Sequence, residues 1–317
     1  MISTAKIIDR IINLPLIIIC LAIVKLPIFN KYKLHLLSTW MDEEKRIKID
    51  RFLFRVFFGV WIRFEYLKEN NPDKRETLKS ICMGGECGKN WAEFYQNQYA
   101  TSGHEGTVDL NFKIGHMTLK EACPVFDEIS SILGNTSSRY LVIQIGSSSG
   151  KEIAYFSKIF PQHEFIGTDI YDEVLEYSRQ YHNHSNLSFV KCSAKEIGNI
   201  FNILDIAIKN KPVLIYTASA LTYAQPEHLT IFFNSFGKFA NLKILLNEPG
   251  NESKGKPNKI KTSIYRGNFS YTHDYEWYAE KSGIETVKCE IIRPYYPYEN
   301  FPIHENTVVY FYYGKTK

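Results

Sequence analysis

At 317 residues the chain is long enough for one large core with an appendage, or for two domains. Hydrophobic residues at 44% and charged residues at 23% exclude a disordered chain, and a net charge of +4 over scattered Lys and Arg gives no nucleic-acid footprint. Six cysteines (Cys20, Cys82, Cys87, Cys123, Cys192, Cys289) form no C-x-x-C pair and no histidine spacing completes a zinc site, which predicts reduced thiols, no metal and a cytoplasmic protein.

Residues 1 to 75 read as helical. From Ile11 to Phe29 the chain is apolar apart from Asn13 and Lys25, with Pro15 and Pro27 inside the run. A spanning helix needs about 20 apolar residues, and this run is broken by a charge and prolines. No small-residue cleavage site follows, which argues against a secretory signal. Residues 51 to 64 mix bulky aromatics with arginines, as helices lying at a membrane interface do. Two readings stay open: peripheral contact with the inner membrane face through residues 1–68, or two helices packed on the rest of the protein. Asn70-Asn-Pro-Asp-Lys is a break, and Cys82 to Gly88 reads as a flexible turn. Trp91, Tyr95 and Tyr99 stand four apart, on one face of a helix. Helical periodicity returns from Leu119 to Leu133.

From Tyr140 onward strands and helices alternate, which predicts an α/β fold with a doubly wound, mostly parallel sheet. The strands are expected at Tyr140–Ile145, Glu164–Asp169, Leu187–Cys192, Val213–Thr217 and Leu242–Asn247. Between them, a helix after Gly150 should bury Ile153, Phe156 and Phe160. A second runs from Glu173 to Tyr181 behind Asp172 as N-cap, a third covers Glu196 to Lys209, and a fourth opens at Pro226. A last helix spans Asp274 to Ser282, with Gly283 at its stop. Two β-rich runs, Ile284–Ile292 and Thr307–Tyr313, close the chain.

The most informative stretch is Tyr140-Leu-Val-Ile-Gln144-Ile-Gly146-Ser-Ser-Ser-Gly150, followed nineteen residues later by Asp169 at the end of the second strand. A small-residue turn lets backbone amides approach a ligand, and the helix start favours its negative group. A carboxylate on the adjoining strand can accept from two ribose hydroxyls. A phosphate-binding P-loop needs four residues between Gly and Gly-Lys, and here there are three, with Glu152 where the hydroxyl should be. Ser148 and Ser149 do not supply the G-x-G-x-x-G of a dinucleotide site. S-adenosylmethionine has a ribose, no phosphate and a small carboxylate, and so asks for fewer glycines.

On these residues the chain from about Tyr140 to Lys317 resembles the class I S-adenosylmethionine-dependent methyltransferases. Their first motif usually reads acidic-x-Gly-x-Gly-x-Gly; here Gln144 replaces the acid and Ser148 the central Gly. The resemblance implies a Rossmann-like methyltransferase fold with a seven-stranded sheet, an N-terminal helical extension (1–75), a helical cap over the cofactor (76–135) and a catalytic domain (136–317). It implies S-adenosyl-L-methionine as cofactor. Gln144, Gly146, Ser147, Ser148 and Gly150 would then line the methionine end, Asp169 would take the ribose hydroxyls, and Ile170 would lie against the adenine. Ser193 and Ala194 stand where the family usually has an acid for the adenine amino group. Thr217 and Ala218 would lie under the reacting centre.

Methyl transfer needs a base only if the acceptor must lose a proton. The acceptor-side candidates are Glu248 at the end of the fifth strand, His273 before the last helix, and Tyr223 after the fourth strand. His273 can take a proton near neutral pH, or be a surface residue beside an N-cap. Tyr223 can orient an acceptor or pack in the core. The basic loop from Glu252 to Lys261 can attract an anionic substrate or be simply solvated. The expected function is methylation of a small-molecule, glycan or lipid-linked acceptor. The alternatives are a nicotinamide-dependent oxidoreductase on a similar sheet, or an inactive methyltransferase-like binding protein.

Overall fold

The computed structural model describes residues 59–85, 88–89, 92, 113–114, 117–118, 121, 123–203, 211–237, 239–251, 262–267, 269–292 and 307–316. The chain divides into two compact units, Met1–Cys87 and Gly88–Lys317. The expectations for Ile11–Phe29 and residues 51–58, for the Trp91/Tyr95/Tyr99 stripe and for the basic loop at 252–261 lie outside the described residues.

In the first unit, α1 (Gly59–Lys68) and α2 (Pro72–Met83) meet at the predicted break. The Asn71 side chain accepts from the amides of Asp73 and Lys74 at 2.9 and 3.2 Å, and Pro72 supplies the fixed φ of the first helical turn. Arg75 Nε donates to the Glu69 carbonyl at 2.6 Å, which holds the two helices in their bend. Among the described residues no helix is long and apolar enough to cross a membrane.

The second unit contains a hairpin of two-residue strands, β1 (Lys113–Ile114) and β2 (Met117–Thr118), and α3 (Val125–Gly134). There follow β3 (Leu141–Ile145), α4 (Lys151–Ile159), β4 (Glu164–Asp169), α5 (Asp172–Tyr181), β5 (Leu187–Lys191), α6 (Ile197–Ile203), β6 (Val213–Ala218), α7 (Pro226–Phe236) and β7 (Leu242–Asn251). A hairpin of β8 (Ser263–Gly267) and β9 (Ser270–His273) precedes α8 (Tyr275–Lys281), β10 (Glu285–Ile292) and β11 (Thr307–Lys315). The sheet runs β10-β11-β7-β6-β3-β4-β5, with β9 added beside the end of β7 and β8 beyond it. The pairs from β5 to β7 are parallel, and β11 joins β7 antiparallel, with β10 antiparallel to β11. This is the expected doubly wound, mostly parallel sheet with a closing antiparallel pair.

β3 explains why the sheet has two covered faces. All five of its residues are buried, the pattern of a central parallel strand. Leu141, Ile143 and Ile145 face one core with Leu229, Phe232 and Phe236 of α7. Val142 faces the other, with Val125, Phe126, Ile129 and Leu133 of α3 and Ile153 and Phe156 of α4.

Three boundaries differ from the sequence reading. α3 begins at Val125 instead of Leu119, because Pro124 occupies the N-cap position and cannot sit inside a helix. Asp172 is the first residue of α5 and not its cap; Tyr171 is the N-cap, and the Asp172 carboxylate pairs with Lys191 on the next strand. After β5 a single 3-10 turn, Ala194–Glu196, precedes α6. The β8–β9 hairpin was not anticipated. Its strands are too short for a period-2 signal, and its turn places Phe269 at φ +61°.

Candidate functional site

The turn between β3 and α4 is built from positive-φ residues: Gly146 at +66°, Ser148 at +48° and Gly150 at +76°. At Gly146 space also matters, since a Cβ there would stand 2.4 Å from the Ala220 Cβ. The turn is tied down from three directions. Ser147 N donates to the Thr168 carbonyl of β4 at 2.7 Å. Ser178 Oγ of α5 donates to the Ser148 carbonyl at 2.7 Å. His182 Nε2 lies 3.0 Å from the Ser149 carbonyl, which only a protonated Nε2 can use.

Ser148 is the one non-glycine in this turn held in the left-handed region, which is strained for a residue with a Cβ. Ser148→Gly is therefore expected to raise the unfolding free energy by up to about 1 kcal/mol, part of the relief being offset by the freer unfolded chain. Chemical denaturation of the two proteins checks this, and a destabilised variant would show that the serine side chain holds the turn.

Asp169, at the end of β4, is brought to the turn as expected. Its Oδ2 accepts from Ser148 N at 3.2 Å, and its Oδ1 accepts from the amides of Ile170 and Tyr171 at 2.8 and 3.3 Å. The half-buried carboxylate thus links two adjacent strand ends and remains at the mouth of the turn. Half-buried Ile170 follows it directly. At the end of β5, Ser193 forms a capping box: its amide and hydroxyl both donate to the Glu196 carboxylate, at 3.0 and 2.6 Å. The Ser193 hydroxyl lowers the Glu196 carboxyl most, against burial that raises it. An acid thus reaches the strand end that Ser193 and Ala194 occupy, from one turn further on.

Glu248 occupies the interior beneath the loop after β6. It is fully buried, and its Oε1 accepts from Thr217 Oγ1 at 2.5 Å, from Ala220 N at 2.8 Å and from Leu221 N at 3.1 Å. Its Oε2 accepts from Thr222 N at 3.2 Å. Burial pushes the carboxyl up to about 7, against the pull of these four donors. In this arrangement both Thr217 and Glu248 are committed to holding the 219–222 loop, whose Ala220 packs on Gly146. Ala218 is half-buried and packs against the α3/α4 core.

The other acceptor-side candidates meet the same loop. Tyr223 is half-buried in the 3-10 turn Leu221–Tyr223. Thr222 Oγ1 donates to the Tyr271 carbonyl of β9 at 2.6 Å, and the Tyr271 hydroxyl donates to Gln225 Oε1 at 3.1 Å. His273 ends β9 opposite Gly250 and is fully buried, which corrects the reading of it as a surface residue. Its Nδ1 lies 2.7 Å from Ser263 Oγ, and its ring stacks on Tyr271 at 5.6 Å between centroids. Asp274 beside it is the cap of α8, accepting from Trp277 N. A continuous hydrogen-bonded path therefore runs from the hairpin through Thr222 and Glu248 to Thr217, and Ala220 extends it to the glycine turn.

On the opposite face of the sheet lies a polar group that the sequence reading passed over, apart from Gln144. Gln144 and Tyr216 stand side by side on β3 and β6, and Asn247 of β7 lies two residues further along that face. Gln144 Oε1, Tyr216 Oη, Asn247 Oδ1 and the nearby Ser147 Oγ are all buried without a hydrogen-bond partner. Burial raises the carboxyl of Glu152, in the first turn of α4, above its ordinary range, with the Gln144 side chain pulling against it. Burial likewise raises the Cys123 thiol, helped by the Glu152 and Glu248 charges. The signal in the sequence was Glu152, a carboxylate two residues past the last turn glycine.

No family model matches the chain, and no curated protein matches it. Solved structures do. A TehB-like SAM-dependent methyltransferase from Corynebacterium glutamicum is 15% identical over 73% of this chain and 98% of its own, with a TM-score of 0.41. A putative sarcosine dimethylglycine methyltransferase from Galdieria sulphuraria is 10% identical over 72% and 98%, with a TM-score of 0.48. Phosphoethanolamine N-methyltransferase 2 of Haemonchus contortus, solved with S-adenosyl-L-methionine, is 13% identical over 61% and 53%, with a TM-score of 0.44.

Proposed function

We propose that the chain is an S-adenosylmethionine-dependent methyltransferase acting on a small-molecule acceptor. The observation that carries this reading is Asp169, whose carboxylate reaches from the end of β4 to the Ser148 amide in the glycine turn after β3. One carboxylate beside a turn without the P-loop spacing is the chemistry a nucleoside lacking phosphates requires: ribose hydroxyls can donate to it. The buried oxygens of Gln144 and Ser147 at the same turn fit a ligand that brings hydrogen-bond donors. The closing antiparallel pair also supports this reading over a nicotinamide dehydrogenase on a similar sheet.

When bound, the sulfonium supplies an already activated methyl group. The work left to the chain is to hold the acceptor in line and exclude water. Glu248 and Thr217 act as positioning residues in this scheme, since their hydrogen bonds set the 219–222 loop against the turn. Tyr223 and His273, joined to that loop directly or through Tyr271 and Thr222, flank the acceptor side. His273 would take a proton from the acceptor where one must leave.

Isothermal calorimetry with S-adenosylhomocysteine, NAD and ATP separates the possibilities. Binding of S-adenosylhomocysteine alone is the expected result. Binding of NAD instead would replace the reading by an oxidoreductase, and silence with all three by an inactive relative.

A further inference from the structure

We infer that the outer edge of β10 docks a second copy of this chain, antiparallel about a twofold axis at Cys289, so that Lys288 of each copy meets Glu290 of the other. The surface is separate from the candidate site: three strands stand between β10 and β3 in the sheet. The inference therefore holds or fails independently of the proposed function.

β10 ends the sheet on its side, and among the described residues no strand lies beyond it. It is eight residues long, against five for β5 at the opposite end. An edge of that length presents alternate N–H and C=O groups to a further strand. Its side chains are also unusual for an edge. Val287 and Ile291 are 47% and 42% exposed. Lys288 and Glu290, both about half exposed, pair along the strand at 3.1 Å and so share one face.

The order of these residues selects the occupant and the register. A twofold axis at Cys289 sets Lys288 opposite Glu290 of the second copy twice over, giving four charges of alternating sign. It also sets Val287 opposite Ile291, apolar against apolar. Moving the axis half a residue sets Val287 against Glu290, or Lys288 against Ile291. Moving it one residue sets Lys288 against Lys288, or Glu290 against Glu290. Like charges directly opposite are destabilising, so the register is specified by the sequence. Half-buried Cys289 brings neither bulk nor charge to the axis. The pairing of β10 with β11 shifts between Thr286 and Lys288, which limits the regular cross-copy ladder to the three pairs centred on Cys289. An edge guarded against self-pairing carries charges that repel its copy, and here the charges match instead. β5 has no such match: its one charge is Lys191, already paired with Asp172, and it has no acid.

Sedimentation velocity over a concentration series tests this on the full chain. The wild type is expected to pass from one 36.9 kDa chain to two as concentration rises. Lys288→Glu and Glu290→Lys each place like charges across the axis and should each raise the midpoint concentration at least about tenfold. Mixed in equal amounts, the two variants carry opposite charges at both positions and should associate again. The double exchange, Lys288→Glu with Glu290→Lys, keeps the ion pair along the strand and should behave as the wild type. Both rescues separate lost recognition from lost folding. The inference is overturned by a wild type that stays a single chain, by single variants that associate as well as the wild type, or by losses that neither the mixture nor the double exchange reverses.

Discussion

Glu248→Ala is expected to lower the unfolding free energy by about 4 kcal/mol, measured by chemical denaturation. The carboxylate is the shared acceptor for a threonine hydroxyl and three successive loop amides, all inside the protein. Removing it leaves those donors without partners where water cannot replace them, and the cost of an unsatisfied buried donor is about 1–3 kcal/mol. Glu248→Gln retains one acceptor oxygen and should lose roughly half as much. A loss near zero for alanine would mean that the loop finds other acceptors and that Glu248 is not what holds it.

The same residue predicts a pH dependence with a definite sign. Its native carboxyl is raised to about 7 from an ordinary 4.5. As pH rises from 4.5, the unfolded chain gives up this proton first, while the native carboxyl still holds it. The unfolded state then binds fewer protons than the native state, so stability falls with pH through this window. The contribution is fully present below 4.5 and lost above 7. Relative to Glu248→Gln, the wild type is expected to lose roughly 3 kcal/mol across that range. Parallel denaturant titrations from pH 4 to 8 would show it, and superimposable curves for the two proteins would refute it.

The second large effect concerns Asp169. Asp169→Ala is expected to weaken S-adenosylhomocysteine binding by about 2 kcal/mol, roughly thirtyfold, because two charge-assisted hydrogen bonds from ribose are lost. Some of that loss could come from a loosened turn, since Ser148, Ile170 and Tyr171 amides all donate to this carboxylate. Asp169→Asn separates the two causes. Its remaining oxygen can still accept from the Ile170 and Tyr171 amides, with only the Ser148 bond lost, yet it no longer carries the charge that strengthens bonds from ribose. Asparagine should therefore restore stability more than affinity. Affinity unchanged in both variants would take Asp169 out of the site.

The parallel sheet was legible because its strands are short, mostly apolar runs bounded by turn residues, and β3 is buried on both faces. The glycine turn was legible because Gly146 and Gly150 are needed at positive φ. Asp169 could be placed because a strand end is a fixed point: once β4 is assigned, its last residue must stand beside the turn after β3. The β8–β9 hairpin was not legible, since strands of five and four residues give too little periodicity to stand out from a loop.

The chain itself determined the local geometry: which residues turn, which run through the sheet, and that one carboxylate ends the second long strand. Only the packed molecule decided what the remaining polar residues face. Glu248 was read as a group for the acceptor, and its side chain instead points into the protein, where four donors converge from a loop about thirty residues earlier in the chain. Gln144 and Tyr216 are about seventy residues apart and stand side by side only because β6 lies against β3. Backbone conformation is a property of neighbours in sequence, whereas burial and partnership depend on contacts that distant segments make, and no periodicity records those.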